Sequence, residues 1–599
     1  DAFVNVKVDR EERPDLDAIY QQALSMMGQH GGWPLTIFLT PTGEPFWGGT
    51  YFPPTARYGR PGFPEIIHAV TQAWNATPGR VKENVDALKL ALEQENHSPD
   101  PMNLTVEMLA LGARQLLGAV DTEHGGLHGA PKFPQPGVFD FLWRAGLRTG
   151  DQAMKDAVIL TLDRMSYGGI YDHIGGGYMR YSTDETWLAP HFEKMLYDNA
   201  QLIDLLTLAW QGTKEPLYRA RVAETVEWVL RDMIAEGGAF AATLDADSEG
   251  HEGKFYTWSA EQIDRVLEPA AARLFKQAYD VRPEGNWEGT TILHRNHQNQ
   301  PTGAEDLLAD ARAVLWRERE NRIHPGRDDK ILADWNGMMI AALANASFVF
   351  HMPRWLDAAR VAYETVRSQM ALSPNRLAHS MRFGKFRPIG LVDDLAHMAR
   401  AALALHEVTG EPELVEHARL WVEAADLHHW DATDGGYFQA ADDADDVIVR
   451  LKPIHDSAVP SANGIMVQVL ARLSQLTGNS QYRERAEATF TAFSGMIPDH
   501  FANLTALLAG FEQLADPLQV VIVGKAEEDD TRALLRAVAD SPLPTRILER
   551  VDGTALPHSH PAHGKAALHG RATAYVCRGS TCSEPVTDAA ALRDQLGAR

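Results

Sequence analysis

Residues 168–216 read "GGIYDHIGGGYMRYSTDETWLAPHFEKMLYDNAQLIDLLTLAWQGTKEP". A long glycine-punctuated loop leads into the polar block "HFEKMLYDNAQ". The apolar run "LIDLLTLAW" follows, and a few polar residues then turn the chain into the next helix. This is one helical hairpin with a long connection at one end and a tight one at the other. The same succession recurs along the chain, predicting twelve helices that begin near residues 106, 137, 151, 191, 214, 330, 354, 391, 413, 459, 479 and 500. Short turns ("RTGD", "QGTKEP", "HMPR", "TGEPE", "TGNSQ") leave the even-numbered helices. Most odd-numbered helices are left by long loops, several with Gly-Gly, such as "DTEHGGLHGAPKFPQP", "EGGAFAATLDADSEG" and "DATDGGYFQAADDADDVIVRLKPIHDSAVPS". A long–short alternation of this length is the mark of stacked hairpins. Six of them with tight reverse turns predict a closed (α/α)6 toroid over 104–516, with the long loops gathered at one mouth. An insertion at about 259–328 carries the extra helices "SAEQIDRVL" and "AEDLLADARAVLWRERE".

The flanks are α/β in pattern. In residues 1–100, "FVNVKV" alternates as a strand and "RPDLDAIYQQALSMM" follows as a helix. "WPLTIFLT" and "FWGGTYF" form a strand pair across "PTGEP", and two amphipathic helices follow. Residues 517–599 give a small α/β element, from the strand "LQVVIVG" to the helix "DAAALRDQL". The expected fold is thus mainly α, a toroid between an N-terminal α/β domain and a C-terminal α/β element.

Composition narrows the function. A net charge of −25 in 599 residues argues against nucleic acid, whose binding needs clustered Lys and Arg. No run of apolar residues is long enough to span a bilayer. Two cysteines in so long a chain exclude a disulfide scaffold and fit a reducing, cytoplasmic setting. Cys577 and Cys582 are expected to be strand-end residues without a role, a local disulfide being second. No metal or cofactor is expected, and "HSHPAH" (558–563) reads as a loop.

The toroid pattern nominates a site. Long loops precede the even helices, so their N-termini, with free N–H groups, converge at the mouth. Polar residues concentrate there. His191, Lys194 and Asp198 are expected on one helical face, with Glu193 and Tyr197 on another. Asp393 and His397 stand at i, i+4, where a carboxylate can orient an imidazole. The loop "TLDADSEGHEG" contributes Asp245 and Asp247. Aromatic residues among carboxylates and amides suit a sugar ring. The expected acid/base residues are His191, Glu193, Asp247, Asp394 and His397. Tyr178, Arg180, Lys194, Tyr197, Asp198, Asp245, Tyr256, Trp258, Trp335 and Asn336 are expected to bind the ligand, a small molecule of sugar type. The chemistry would be of epimerase/isomerase or glycosidase kind.

Several of these stretches resemble one family. "VNVKVDREERPDLDAIY", "GGWPLTIFLTPTGEPFWGGTYFPP", the 168–202 block, "LDADSEGHEGKFYTW" and "YVCRGSTC" are similar to thioredoxin-domain proteins related to spermatogenesis-associated thioredoxin-like protein. The resemblance implies an N-terminal thioredoxin-like domain joined to a toroid similar to N-acylglucosamine 2-epimerase, with a possible link to carbohydrate metabolism. It matches Pro34 to the cis-proline of thioredoxin-like folds. In the family a Cys-x-x-Cys helix precedes the strand matching "FVNVKV"; here the chain starts at that strand, so the domain is expected to be truncated and without its redox pair. The alternative is a redox or protein-binding factor whose toroid is a scaffold.

Overall fold

The computed structural model describes the chain except residues 1–2, 58, 95, 98, 296–302, 388, 553–555, 557–559, 580 and 598–599. Three helices, α1 (Pro14–Met26), α2 (Phe63–Ala76) and α3 (Pro78–Gln94), surround an antiparallel pair of strands, Thr36–Leu39 and Pro45–Gly49. The Trp33–Pro34 bond ahead of the first strand is cis. The strand expected at Phe3–Val8 does not form: Val4 and Val6 are 92 % and 76 % exposed. Its alternation finds no sheet edge to pair with; Phe3 alone packs, edge-on to Phe38, and the chain runs on to the toroid.

The toroid is built from paired helices. The inner ring is α5 (Pro136–Thr149), α7 (Leu196–Thr213), α12 (Ala333–Phe350), α14 (Val392–Thr409), α16 (Ala462–Thr477) and α19 (Thr505–Ala515). Each packs on the next, and α19 returns to α5, so the ring closes. Outside lie α4 (Val106–Leu117), α6 (Gln152–Tyr167), α8 (Pro216–Asp232), α13 (Pro353–Gln369), α15 (Pro412–His428) and α17 (Ser480–Ser494). A short α18 (Ile497–His500) precedes α19, and α9 (Ala260–Val266), α10 (Pro269–Ala278) and α11 (Glu305–Arg319) form the insertion around its own core.

The sequence dictates the tight turns. Five of the six inner helices stop at a left-handed residue: Gly150, Lys214, His351, Gly410 or Gly478. The outer helix then starts with Pro216, Pro353 or Pro412 in its first turn, or with Asp151 or Asn479 as N-cap. A left-handed C-cap and a proline that cannot extend a helix backwards leave room for nothing but a sharp reversal.

The long loops are held by two recurrent devices. A buried lysine staples an Asp-x3-Gly turn three times: Lys132 Nζ donates to Asp121 Oδ2 and the Gly125 carbonyl, Lys194 to Asp172 and Gly176, and Lys452 to Asp431 and Gly435. Second, an asparagine early in an inner helix clamps one loop residue by both its N–H and its carbonyl. Asn199 clamps Tyr178, Asn336 clamps Phe240 and Asn463 clamps Tyr437. Buried backbone in irregular loops must be satisfied by something, and these side chains do so.

Both ends of the ring are covered. At the mouth, Lys330 holds Asp9 and Glu11, His379 Nε2 meets the Glu11 carbonyl at 2.8 Å, and Arg13 pairs with Asp446 at 2.6 Å. At the opposite end sits the C-terminal element, with α20 (Asp529–Ala539), α21 (Ala589–Gly597) and a four-stranded sheet. Its Arg546 reaches Glu407 and Asn345, and its carbonyls 539, 544 and 545 accept from Gln211, Arg144 and Gln513. Contrary to expectation, Cys577 and Cys582 form a disulfide, because the hairpin register sets them directly opposite. His560 pairs with Glu549 at 2.9 Å, while His558 lies outside the described residues. Among the described residues no helix is long and apolar enough to cross a membrane.

Candidate functional site

Helix α7 begins at Leu196, five residues after the expected start, so the stripe His191–Lys194–Asp198 does not exist. Residues 190–195 run extended instead: Pro190–His191 pairs with Tyr181–Ser182, and Lys194–Met195 pairs with Thr243–Leu244. Extended backbone sends neighbouring side chains to opposite sides. Glu193 thereby faces the mouth and Lys194 the interior.

At the mouth, Arg180 Nη1 donates to Glu193 Oε2 at 2.8 Å, and the Arg180 N–H to the Glu193 carbonyl. His191 stacks on Tyr181, with ring centroids 5.2 Å apart, and Tyr181 packs at a tilt on Phe133 at 4.7 Å. His191 Nδ1 lies 2.6 Å from Glu252 Oε1, while Nε2 lies 3.8 Å from Glu193 Oε2. With Glu252 accepting from Nδ1–H, the neutral ring carries its lone pair on Nε2. Beneath, Tyr197 meets Trp335 edge-on at 4.6 Å. Burial pushes the Asp198 carboxyl well up, with Arg180 opposing and Glu193 adding to it, and Asp198 Oδ2 has no hydrogen-bond partner among the described residues. Burial thus favours the protonated form of Asp198.

Arg180, His191, Glu193, Tyr197, Asp198 and Trp335 are thus brought together, and Glu252 and Tyr181 join them. Asp247 stands opposite Glu252 in an exposed hairpin, with Asp245 at its foot. The other expected residues go elsewhere. Asn336 is spent on the loop clamp, Tyr178 bonds Ser166 in the core, and Trp258 is buried in the insertion under Arg322. Lys194 and Tyr256 line a separate cavity.

The expected Asp393–His397 pair does not form. Asp393 accepts from Gln439, and His397, fully buried, is pushed down to about 3 by burial and by Arg400, so it stays neutral. Asp394 instead accepts from His379 Nδ1 at 2.7 Å and from the Leu391 N–H. Burial disfavours the His379 cation, but Asp394 and then Asp334 outweigh it and raise the imidazole to about 10. The Asp334, His379 and Asp394 ligand atoms lie close enough for a metal. Both ring nitrogens of His379 are already engaged, however, by Asp394 and by the Glu11 carbonyl. The cluster is an ionic lock under the N-terminal strap. His379 sits in an otherwise unremarkable loop, "RLAHSM", and carried no spacing signal.

Deeper, the ring encloses a cavity of about 220 Å³ on the axis. Arg400 pairs with Asp204 there, and Arg472 and Arg546 both pair with Glu407. Tyr197, Gln201, Asp204, Leu208 and Gln211 recur at helical spacing down the inner face of α7 and join mouth to floor.

The family model described as "Thioredox_DsbH: Protein of unknown function, DUF255" matches residues 1–93. Spermatogenesis-associated protein 20 of Homo sapiens is 31 % identical, over 99 % of this chain and 83 % of its own length. Uncharacterized protein B0495.5 of Caenorhabditis elegans is 29 % identical, over 98 % of this chain and 86 % of its own. Among solved structures, a D-mannose isomerase aligns with a TM-score of 0.44 at 11 % identity, covering 65 % of this chain and 85 % of that one. The unsaturated glucuronyl hydrolase of Bacillus sp. GL1 aligns at 0.39 and 12 %, covering 68 % and 94 %.

Proposed function

Given that the chain belongs to the family of spermatogenesis-associated protein 20, with a thioredoxin-like domain joined to a six-hairpin toroid, we propose that the toroid mouth binds a sugar and moves a proton on it. The observation that carries this reading is the His191 dyad. Glu252 holds Nδ1, Tyr181 supports the ring, and Nε2 lies 3.8 Å from Glu193 Oε2 with no hydrogen bond among the described residues. That is the arrangement a general base requires. Glu193, fixed by Arg180, is placed to orient a hydroxyl, and Asp198 below it, whose protonated form burial favours, to donate a proton. Tyr181 and Trp335 supply aromatic surface for a pyranose. Proton abstraction beside a sugar carbonyl, as in isomerisation or epimerisation, needs one base and one acid. It suits this cluster better than hydrolysis, which needs two carboxylates facing each other across the bond.

A panel of aldoses and ketoses in D2O, followed by proton NMR, tests the reading. Deuterium should enter at the carbon beside the carbonyl with at least one sugar, and His191→Asn should abolish it. Thermal-shift binding of the same sugar should survive in His191→Asn but weaken in Glu193→Gln. If no sugar exchanges with the wild-type protein and none shifts its melting point, the reading is wrong.

A further inference from the structure

The three lysine staples share one scaffold, and one of them departs from it. In each, the ammonium donates to an aspartate and to a glycine carbonyl and lies against aromatic rings: Lys132 beside Trp187, Lys452 beside Phe438, Lys194 beside Trp228 and Tyr256. Among the described residues, Lys132 and Lys452 each have their aspartate as sole ionic partner. Asp172, by contrast, is shared. Arg319 Nη1 donates to its Oδ1 at 2.8 Å and to its Oδ2 at 3.0 Å, while Lys194 takes Oδ2 at 2.8 Å. One carboxylate thus answers two buried cations. The Lys194 staple also opens on a cavity of about 280 Å³, lined among others by Arg231, Arg319, Arg327, Asp232 and Tyr256.

These differences change what the amine can do. Burial lowers the Lys194 ammonium; Asp172 works against this and Arg319 with it, leaving the group at about 8. A neutral amine has two N–H bonds to give, and two acceptors, Asp172 and the Gly176 carbonyl, are in place at 2.8 and 2.7 Å. Its lone pair is then left over for the cavity. In a chain of net charge −25, this cavity, with Lys194 neutral, is lined by three guanidinium groups, Arg231, Arg319 and Arg327, against two carboxylates, Asp172 and Asp232, and Arg327 also pairs with Asp329 just beyond the lining.

We propose that Lys194 is a nucleophilic amine that condenses reversibly with a small carbonyl compound bearing a carboxylate, a 2-oxo acid or glyoxylate, held in this cavity. The amine lone pair forms a bond to the carbonyl carbon, and the carbonyl oxygen takes up the amine's proton to give a carbinolamine. Departure of that hydroxyl together with the nitrogen's second proton, as water, leaves a carbon–nitrogen double bond. One water is released, nothing is oxidised or reduced, and hydrolysis restores the free lysine. The cavity is separate from the mouth cluster, so this inference stands independently of the sugar reading.

The test uses the wild-type protein, glyoxylate and cyanoborohydride, which reduces the imine to a stable secondary amine, with peptide mass spectrometry reading each lysine. Lys132 and Lys452 are internal controls of the same construction. At about pH 8 roughly half of the Lys194 amine is neutral, against under about one in a hundred for an ordinary lysine. On that ratio Lys194 should be modified about fiftyfold faster than an ordinary lysine, and it should outpace both controls and the exposed Lys82. Arg327→Gln, at the cavity rim, should slow glyoxylate but leave uncharged acetaldehyde unaffected. Labelling that follows solvent exposure, with Lys82 first and Lys194 no faster than Lys132 and Lys452, would overturn the proposal. So would equal response of glyoxylate and acetaldehyde to Arg327→Gln.

Discussion

Replacing Asn199 by leucine isolates the link between the loop and the site. Asn199 is fully buried. Its amide donates to the carbonyls of Tyr178 at 3.0 Å and Met195 at 2.9 Å, and its oxygen accepts from the Tyr178 N–H at 2.8 Å. Leucine keeps the branched heavy-atom skeleton, is somewhat larger and removes all three bonds, so no cavity is left behind. The Tyr178 N–H is left without this acceptor, and its carbonyl loses a donor, at about 1–3 kcal/mol for each buried polar group stranded. Packing of the leucine offsets part of this, giving an expected loss of about 2–4 kcal/mol. The segment released is the one that carries Arg180 and Tyr181, so sugar binding at the mouth should weaken along with stability. Urea unfolding reports the first effect and calorimetric titration of the sugar the second. Asn199→Asp keeps the acceptor for the Tyr178 N–H and separates its share from that of the donors. A cost below about 0.5 kcal/mol with Asn199→Leu, or unchanged ligand affinity, would refute the idea that this clamp positions the loop.

The ionic lock predicts a pH limit. His379 is raised from 6.5 to about 10, so its contribution is complete below the unfolded value and is lost as pH rises through about 10. His379→Gln should remove the alkaline transition and loosen the N-terminal strap, read as faster proteolysis near residues 9–13. At the other end, Arg546→Ala takes one of two cations from Glu407, which keeps Arg472, and should cost about 1.5–2 kcal/mol, the worth of a charge-assisted hydrogen bond. Differential scanning calorimetry would register this as a lower melting point; an unchanged one would mean that the C-terminal element does not brace the ring.

Much of this architecture is written locally. The left-handed stops at Gly150, Gly410 and Gly478 and the prolines 216, 353 and 412 mark reversals that need no tertiary information, because backbone sterics alone enforce them. Counting those reversals is enough to predict six hairpins, and the concentration of His191, Glu193, Tyr197 and Asp198 at one mouth follows from the ring. What a helix-spacing argument could not supply is how the residues before α7 lie. Pro190 to Met195 pair with two separate strands, and the pairing turns Glu193 and Lys194 to opposite sides. Nor could local pattern reveal that Asp394 chooses His379 over a neighbour four residues along, that Asn336 serves backbone in place of a ligand, or that Asp172 is divided between Lys194 and Arg319. Each depends on partners up to 147 positions apart, and which of several possible partners wins is set by burial, which exists only once the ring has closed.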